Sequence, residues 1–382
     1  MPTVLILGGG FGGLAAATEL RQLLPGAEVV LIDRRDSFFM GFAKLWDLAG
    51  VRDLAGGTRS LASLADRGVH FVQADITSID PGARRVDTSA GTFAGDGLLV
   101  ALGAGPPPAH QEMTAGPDAY DLYDGAQVKA IGRALAAVDG GSVLVAILGV
   151  PFKCSPAPFE AVLVVDELLR TRGARGGVQV AISTPQPGTM PVAGPGASQY
   201  VATRLAERGI ELLTRRAVTG VDHAGHVVHY ADGSAFSYRI LLGVPAASPP
   251  PVVRGSPLAG NSGFIEPDRH TMRTAFERVY AVGDCTHVPT AKFAVPKAGV
   301  FAAAEGVVAA RNLVRDLTGT GQEASFDGHG FCFLELPGQT VATVEGNFFA
   351  EPEPDVGITE VSEAQFRRKQ DYEQARLATW LG

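Results

Sequence analysis

The sequence predicts an α/β chain built from two Rossmann-like domains and a smaller C-terminal α+β domain. Three observations carry this. "TVLILGGGFGGLAAATEL", from Thr3, reads as strand, glycine turn and helix, and "AEVVLIDRR" follows as a second strand. Residues 140–214 repeat the order strand, loop, helix, strand. From Gly330 onward the pattern changes to a β-hairpin and a last helix.

Composition sets the bounds. A chain of 382 residues is long for one domain, so two or three are expected. With 46% hydrophobic and 19% charged residues it has a core-building composition. A net charge of −8 and a pI near 5.5 exclude the basic face a nucleic-acid partner needs. "MPTVLILGGG" carries no secretory pattern, and no apolar run reaches ~18 residues. The expected location is cytoplasmic, with peripheral contact to a membrane surface left open. Cys154, Cys285 and Cys332 are too few for a secreted disulfide framework. They are either small buried hydrophobes or include a redox-active pair.

In the first element, Gly8, Gly10 and Gly13 fit GxGxxG. Gly8 allows the turn, Gly10 lets backbone approach a pyrophosphate, and Gly13 lets helix pack on strand. The helix N-terminus attracts the phosphates. Asp33, followed by Arg34, ends the next strand and can accept hydrogen bonds from ribose hydroxyls. "VHFVQADITSID", 69–80, alternates like a further strand of this unit.

Two more stretches belong with it. "DGLLVALGA", 96–104, is a buried strand ending in a turn at Gly103. "RVYAVGDCTHVP", 278–289, is a strand ending at Gly283 and Asp284. This order resembles flavoproteins with two dinucleotide domains, in which the chain leaves the FAD domain after the first stretch and re-enters at the second. The resemblance implies FAD, with Asp284 on a ribityl hydroxyl. The helix within 293–314 begins near Lys297, where a positive dipole end and a cation would face the flavin pyrimidine.

The second unit lacks its glycine loop. "GVPFKCSPAPFEA", 149–161, has bulky residues where backbone would touch a pyrophosphate, and its prolines remove N–H donors. A good nicotinamide site is not expected. Cys154 lies beside Lys153 and near a helix start, so a lowered thiol pKa is expected. Glu160 is either a proton acceptor for it or a cap on the helix dipole. At the C-terminus, "GFCFLELPGQTVATVEGNFF" is a hairpin around Pro337–Gly338 with Cys332 on its first strand. A final helix starts at Ser362 and carries Arg367, Arg368, Lys369 and Arg376.

"PFKCSPAPFEA", "VGDCTHVP…VPKAGVFAAAEG" and "GFCFLELPGQTVATVEG" together resemble the flavoprotein subunit of flavocytochrome c sulfide dehydrogenase and, more distantly, sulfide:quinone oxidoreductase. The likeness runs nearly end to end. It implies an FAD-binding domain from 1–105 and 255–325, a second Rossmann-like domain over 106–254, and a flavin-interface domain over 326–382. It implies a redox disulfide between Cys154 and Cys332, a sulfur donor, and a quinone or cytochrome as acceptor. No cysteine follows the second strand in "DRRDSFFMGFAKLWDLAGVRD", so FAD is expected to be noncovalent. Cys285 is read as structural. The competing reading is a type II NADH dehydrogenase-like enzyme, which "GGGFGGLAAATEL" and "LIDRRDSFF" also resemble.

Overall fold

The structure, a computed structural model, describes residues 1–382. Its first sheet is five-stranded and parallel, in the spatial order Val279–Ala281, Gly97–Val100, Thr3–Leu7, Glu28–Asp33, Val69–Gln73. Every one of these strands is short, and the central ones are buried on both faces, as parallel strands covered by helices must be. The pairing of Val279–Ala281 with Gly97–Val100 brings a late segment of chain back into the N-terminal sheet. Helices Phe11–Leu23 and Gly299–Thr318 pack together on one side. Leu14, Leu20, Tyr280 and Leu313 share the core between them.

The second sheet is also parallel and five-stranded: Ala119–Asp121, Ile240–Val244, Gly141–Ile147, Val178–Ser183, Glu211–Leu213. Helices Ala157–Thr171 and Gly194–Glu207 connect its strands. The chain is thus α/β with two Rossmann-like units, as its sequence predicts.

The stretch 69–80 is not one strand. Val69–Gln73 ends the first sheet, and Ile76–Asp80 turns into a separate antiparallel sheet with Arg85–Thr88 and Gly91–Ala94. Period-two alternation is the same in both, so the break at Ala74–Asp75 is invisible to it.

The C-terminal hairpin pairs His329–Leu336 with Thr340–Asn347, and Asp355–Ile358 adds a third strand. The last helix spans Glu363–Leu381, with Ser362 accepting the N–H of Gln365 at 3.2 Å as its cap. This region closes over both larger units. Cys332, Leu377 and Trp380 pack into the core of the first, while Leu334, Leu336 and Val344 pack into the core of the second.

Candidate active site

The N-terminal turn has the geometry of a dinucleotide cradle. Gly8 has φ +105°, and a Cβ there would lie 2.3 Å from the Ala101 carbonyl oxygen. A Cβ on Gly13 would lie 1.9 Å from the Gly8 oxygen, so strand and helix touch there. Gly10, at the helix N-cap, has nothing within 4 Å of such a Cβ and no side chain capping it. That leaves an open face at a positive dipole end, the form an anionic phosphate needs. Asp33 is buried at the strand end, where it accepts the N–H of Gly9 at 2.7 Å and of Arg35 at 2.8 Å. Arg34 is exposed, and its carbonyl accepts from Gln73. Gly103 adopts φ +65° with open space around it.

The return strand delivers Gly283 and Asp284 to a small cleft shared with Lys297, Ala298, Phe301 and Glu305. The Glu305 carboxylate accepts the Gly283 N–H at 2.7 Å. Burial pushes its pKa up to about 7. Burial also raises Asp284, against the opposing charges of Lys153 and Lys297.

Lys297 departs from expectation. The helix begins at Gly299, and the Lys297 ammonium donates back to the carbonyls of Asp284 at 2.9 Å and Thr286 at 2.8 Å. It also lies 3.9 Å from the Phe264 ring centroid. Its donors clamp the Asp284–Thr286 turn. Its backbone does something no sequence pattern announces: the Lys297 carbonyl accepts the Cys154 N–H at 2.7 Å.

Cys154 sits in a left-handed conformation, φ +54°, just ahead of the Ala157–Thr171 helix. The expected lowering of its thiol pKa does not occur. Burial pushes the thiol up to about 12, and the Glu160 charge adds to the rise. Lys153, the sequence neighbour, turns the other way: its ammonium donates to the Ala104 carbonyl at 3.3 Å and lies 5.8 Å from the Tyr123 ring centroid. The cations that favour the Cys154 thiolate are Lys369 and Lys44, both distant in sequence. Lys44 donates to the Tyr123 carbonyl at 2.6 Å, and burial lowers it to about 8.

Cys332 is buried on the first hairpin strand. Burial holds its thiol well up, and the charges of Cys154 and Glu160 reach it and raise it further. The fold therefore brings Cys154, Glu160 and Cys332 into one neighbourhood, with both cysteines as free thiols. Glu160 is in the first helical turn, where a dipole cap would be, yet it is only 1% exposed. Its Oε1 accepts the Glu335 N–H at 2.7 Å and the Lys369 ammonium at 3.3 Å. Sequence reading placed Lys369 only among the charges of the last helix and did not single out Glu335. A capped helix whose apolar stripe runs through a lysine was the available signal. Cys285 is apart from this group, fully buried, with its thiol donating to the Val282 carbonyl at 3.3 Å.

At the end of the second sheet His110 packs against Gly149. A Cβ on Gly149 would lie 2.8 Å from the His110 ring. His110 Nδ1 accepts the Ala246 N–H at 3.0 Å, and the Pro151 carbonyl accepts the Ala247 N–H at 2.6 Å.

Comparison with known proteins identifies the family. Residues 2–306 match the family model for pyridine nucleotide-disulphide oxidoreductases, and the chain belongs to that family. It is 25% identical over 376 residues to the mitochondrial sulfide:quinone oxidoreductase of Mus musculus, covering 91% of this chain and 79% of the mouse protein. It is 24% identical over 347 residues to the type II NADH:quinone oxidoreductase of Staphylococcus aureus, covering 84% of each. The solved sulfide:quinone oxidoreductase from Aquifex aeolicus superposes with a TM-score of 0.87 at 23% identity, over 98% of this chain and 90% of that one. The chain is a flavin oxidoreductase with FAD as its cofactor. The open Gly10 helix end and the Gly283–Asp284 cleft fit that cofactor.

Proposed function

We propose that the chain oxidises sulfide, or a related persulfide or thiol, and passes the electrons to a quinone. Cys154 and Cys332 cycle between disulfide and dithiol beside a noncovalent FAD. The observation that carries the reading is the joint neighbourhood of Cys154, Glu160 and Cys332, which come from two different parts of the fold. The similarity to sulfide:quinone oxidoreductases supports the donor and the acceptor.

In this scheme hydrosulfide attacks one sulfur of the disulfide. The S–S bond breaks, a new S–S bond forms, and the products are one cysteine persulfide and one cysteine thiolate. A second hydrosulfide or thiol takes the outer sulfur. Rejoining the two cysteines then releases two electrons and their protons. Bound FAD would supply the two-electron acceptor for that pair, with a quinone as the final acceptor. Glu160, whose pKa burial raises, would take up a proton during the exchange. Asp33 and the Gly8–Gly13 turn would hold the adenosine half of the cofactor, with Arg34 at the rim, while Gly103, Gly283 and Asp284 would hold the flavin half.

Noncovalent binding follows from the cysteine positions. No cysteine lies between Asp33 and Asp53, and Cys285 is enclosed. Nicotinamide as donor is disfavoured by the His110 plug at Gly149, despite the likeness to a type II NADH:quinone oxidoreductase. No helix is long and apolar enough to cross a membrane, so a quinone is met by peripheral contact.

The test is anaerobic reduction of the purified yellow protein, followed at the flavin band. Bleaching by sulfide and not by NADH is the expected result. Bleaching by NADH alone would sink the proposal.

A further inference from the structure

The Ala157–Thr171 helix, the hairpin strand His329–Leu336 and the C-terminal helix Glu363–Leu381 meet at a charged cluster with no access to solvent. Lys369 is 0% exposed, Glu160 1% and Glu335 4%. The Lys369 ammonium donates to Glu335 Oε2 at 2.7 Å and to Glu160 Oε1 at 3.3 Å. Trp46 Nε1 donates to the same Glu335 oxygen at 2.8 Å. The ammonium is also 4.9 Å from the Phe42 ring centroid and 5.6 Å from that of Trp46. Two carboxylates and one lysine are thus enclosed by aromatic rings.

Such a cluster is costly to bury unless it is fully paired. A pair of well-packed apolar residues would serve stability as well. Its place is what gives it meaning. Glu160 follows the Cys154 loop by one helical turn, and Glu335 lies three residues beyond Cys332 on one strand. The Glu160 carboxylate also takes the Glu335 backbone N–H, across 175 residues of sequence. The cluster therefore fastens the element that carries one cysteine to the element that carries the other.

We propose that Lys369 is a positioning residue for the sulfur chemistry: its ammonium pins Glu160 and Glu335 together, holds the Cys154 loop against the Cys332 strand, and supports negative charge on Cys154. This rests on the disulfide reading given under Proposed function. The groups around the Cys154 sulfur are Glu160, Lys369, Lys44, Cys332 and Tyr123. Glu160 opposes a thiolate there, and Lys369 and Lys44 favour it. Lys369 acts twice, directly on Cys154 and by neutralising Glu160. Burial opposes the ammonium itself, but the two carboxylates outweigh it and keep it charged. A cation from the far end of the chain takes the part that sequence adjacency assigns to Lys153.

The experiment is peptide-resolved alkylation of Cys154 by iodoacetamide in the reduced, FAD-loaded protein, between about pH 8 and pH 10. Lys369→Met should slow alkylation about tenfold at a given pH, the equivalent of one unit of thiol pKa. Lys369→Arg should restore most of the rate, because it keeps the charge. Flavin content and melting temperature are read on the same samples. A folded, flavin-loaded Lys369→Met protein that alkylates at the wild-type rate overturns the proposal. Should that variant fail to hold flavin, Lys369→Met with Glu335→Gln removes one of the two stranded carboxylates. It should show the same fall, and a wild-type rate there overturns the proposal as well. The sulfide reading fails separately, if sulfide leaves the wild-type flavin unbleached while the thiol titration still responds to Lys369.

Discussion

The backbone N–H of Cys154 donates to the carbonyl of Lys297 at 2.7 Å, and this bond joins the candidate nucleophile loop to the segment that returns to the first sheet. Gly283 and Asp284 lie at the near end of that segment, and the Lys297 side chain clamps the turn they form. Lys297 therefore bonds both to the Cys154 loop and to the Gly283–Asp284 turn.

The two cysteines should separate binding from chemistry. Cys154→Ser and Cys332→Ser are each expected to retain FAD and to lose flavin bleaching by sulfide. The loss should reach at least about 10³-fold, since removing one partner ends the exchange rather than weakening it. Stopped-flow absorbance at the flavin band checks it. A Cys154→Ser protein reduced at the wild-type rate excludes the disulfide.

The thiols predict a loss of stability in alkali. Burial raises Cys154 to about 12 and Cys285 to about 11 from a usual value near 9. The folded state then binds more protons than the unfolded state above pH 9. The stability from keeping these thiols neutral is fully present below that pH and is lost as pH rises through the raised values. Thermal melts of the reduced protein should fall across this window, and Cys154→Ser should flatten the fall.

Glu305 gives a second pH window, nearer neutrality. Its pKa is raised from 4.5 to about 7 by burial, so its contribution is complete below 4.5 and disappears as pH rises through 7. The upper bound is roughly 3 kcal/mol. Glu305→Gln keeps an acceptor for the Gly283 N–H and removes the proton. Its melting temperature should vary less between these limits. Glu305→Ala also strands that N–H, and a weaker grip on FAD is expected, measured by flavin release during gel filtration.

Asp166 should matter for stability alone. It is 0% exposed and accepts from Arg170 at 2.8 Å and Arg208 at 2.6 Å, with Arg175 on its other oxygen. Asp166→Ala removes the acceptor that three guanidinium groups share, while Arg175 and Arg170 keep backbone carbonyls and Arg208 keeps Glu167. A cost of roughly 1–3 kcal/mol follows, seen as an early denaturant midpoint. The flavin of the folded fraction should still bleach with sulfide, since no contact of Asp166 reaches the Cys154 loop.

Local pattern was sufficient for much of the fold. The Gly8–Gly13 turn, the strand end at Asp33, the Gly283–Cys285 turn after the returning strand, the hairpin turn at Pro337–Gly338 and the Ser362 cap all depend on residues within a few positions of one another. Sequence also singled out Cys154 and Cys332, because their surrounding motifs resemble a known family. Their environment was decided elsewhere. Lys153 is adjacent to Cys154 in sequence but turns toward Ala104, while Lys369 comes from the last helix to favour a thiolate. Lys297 lies two residues before its helix and spends its donors on the Asp284 and Thr286 carbonyls. Burial and charge are sums over everything packed around an atom, and here those neighbours arrive from segments 175 residues apart. The sequence by itself determined which backbone turns form and which side chains are available. Tertiary packing decided which charges meet, because the dense surroundings that raise both thiols exist only once three separate segments have closed around them.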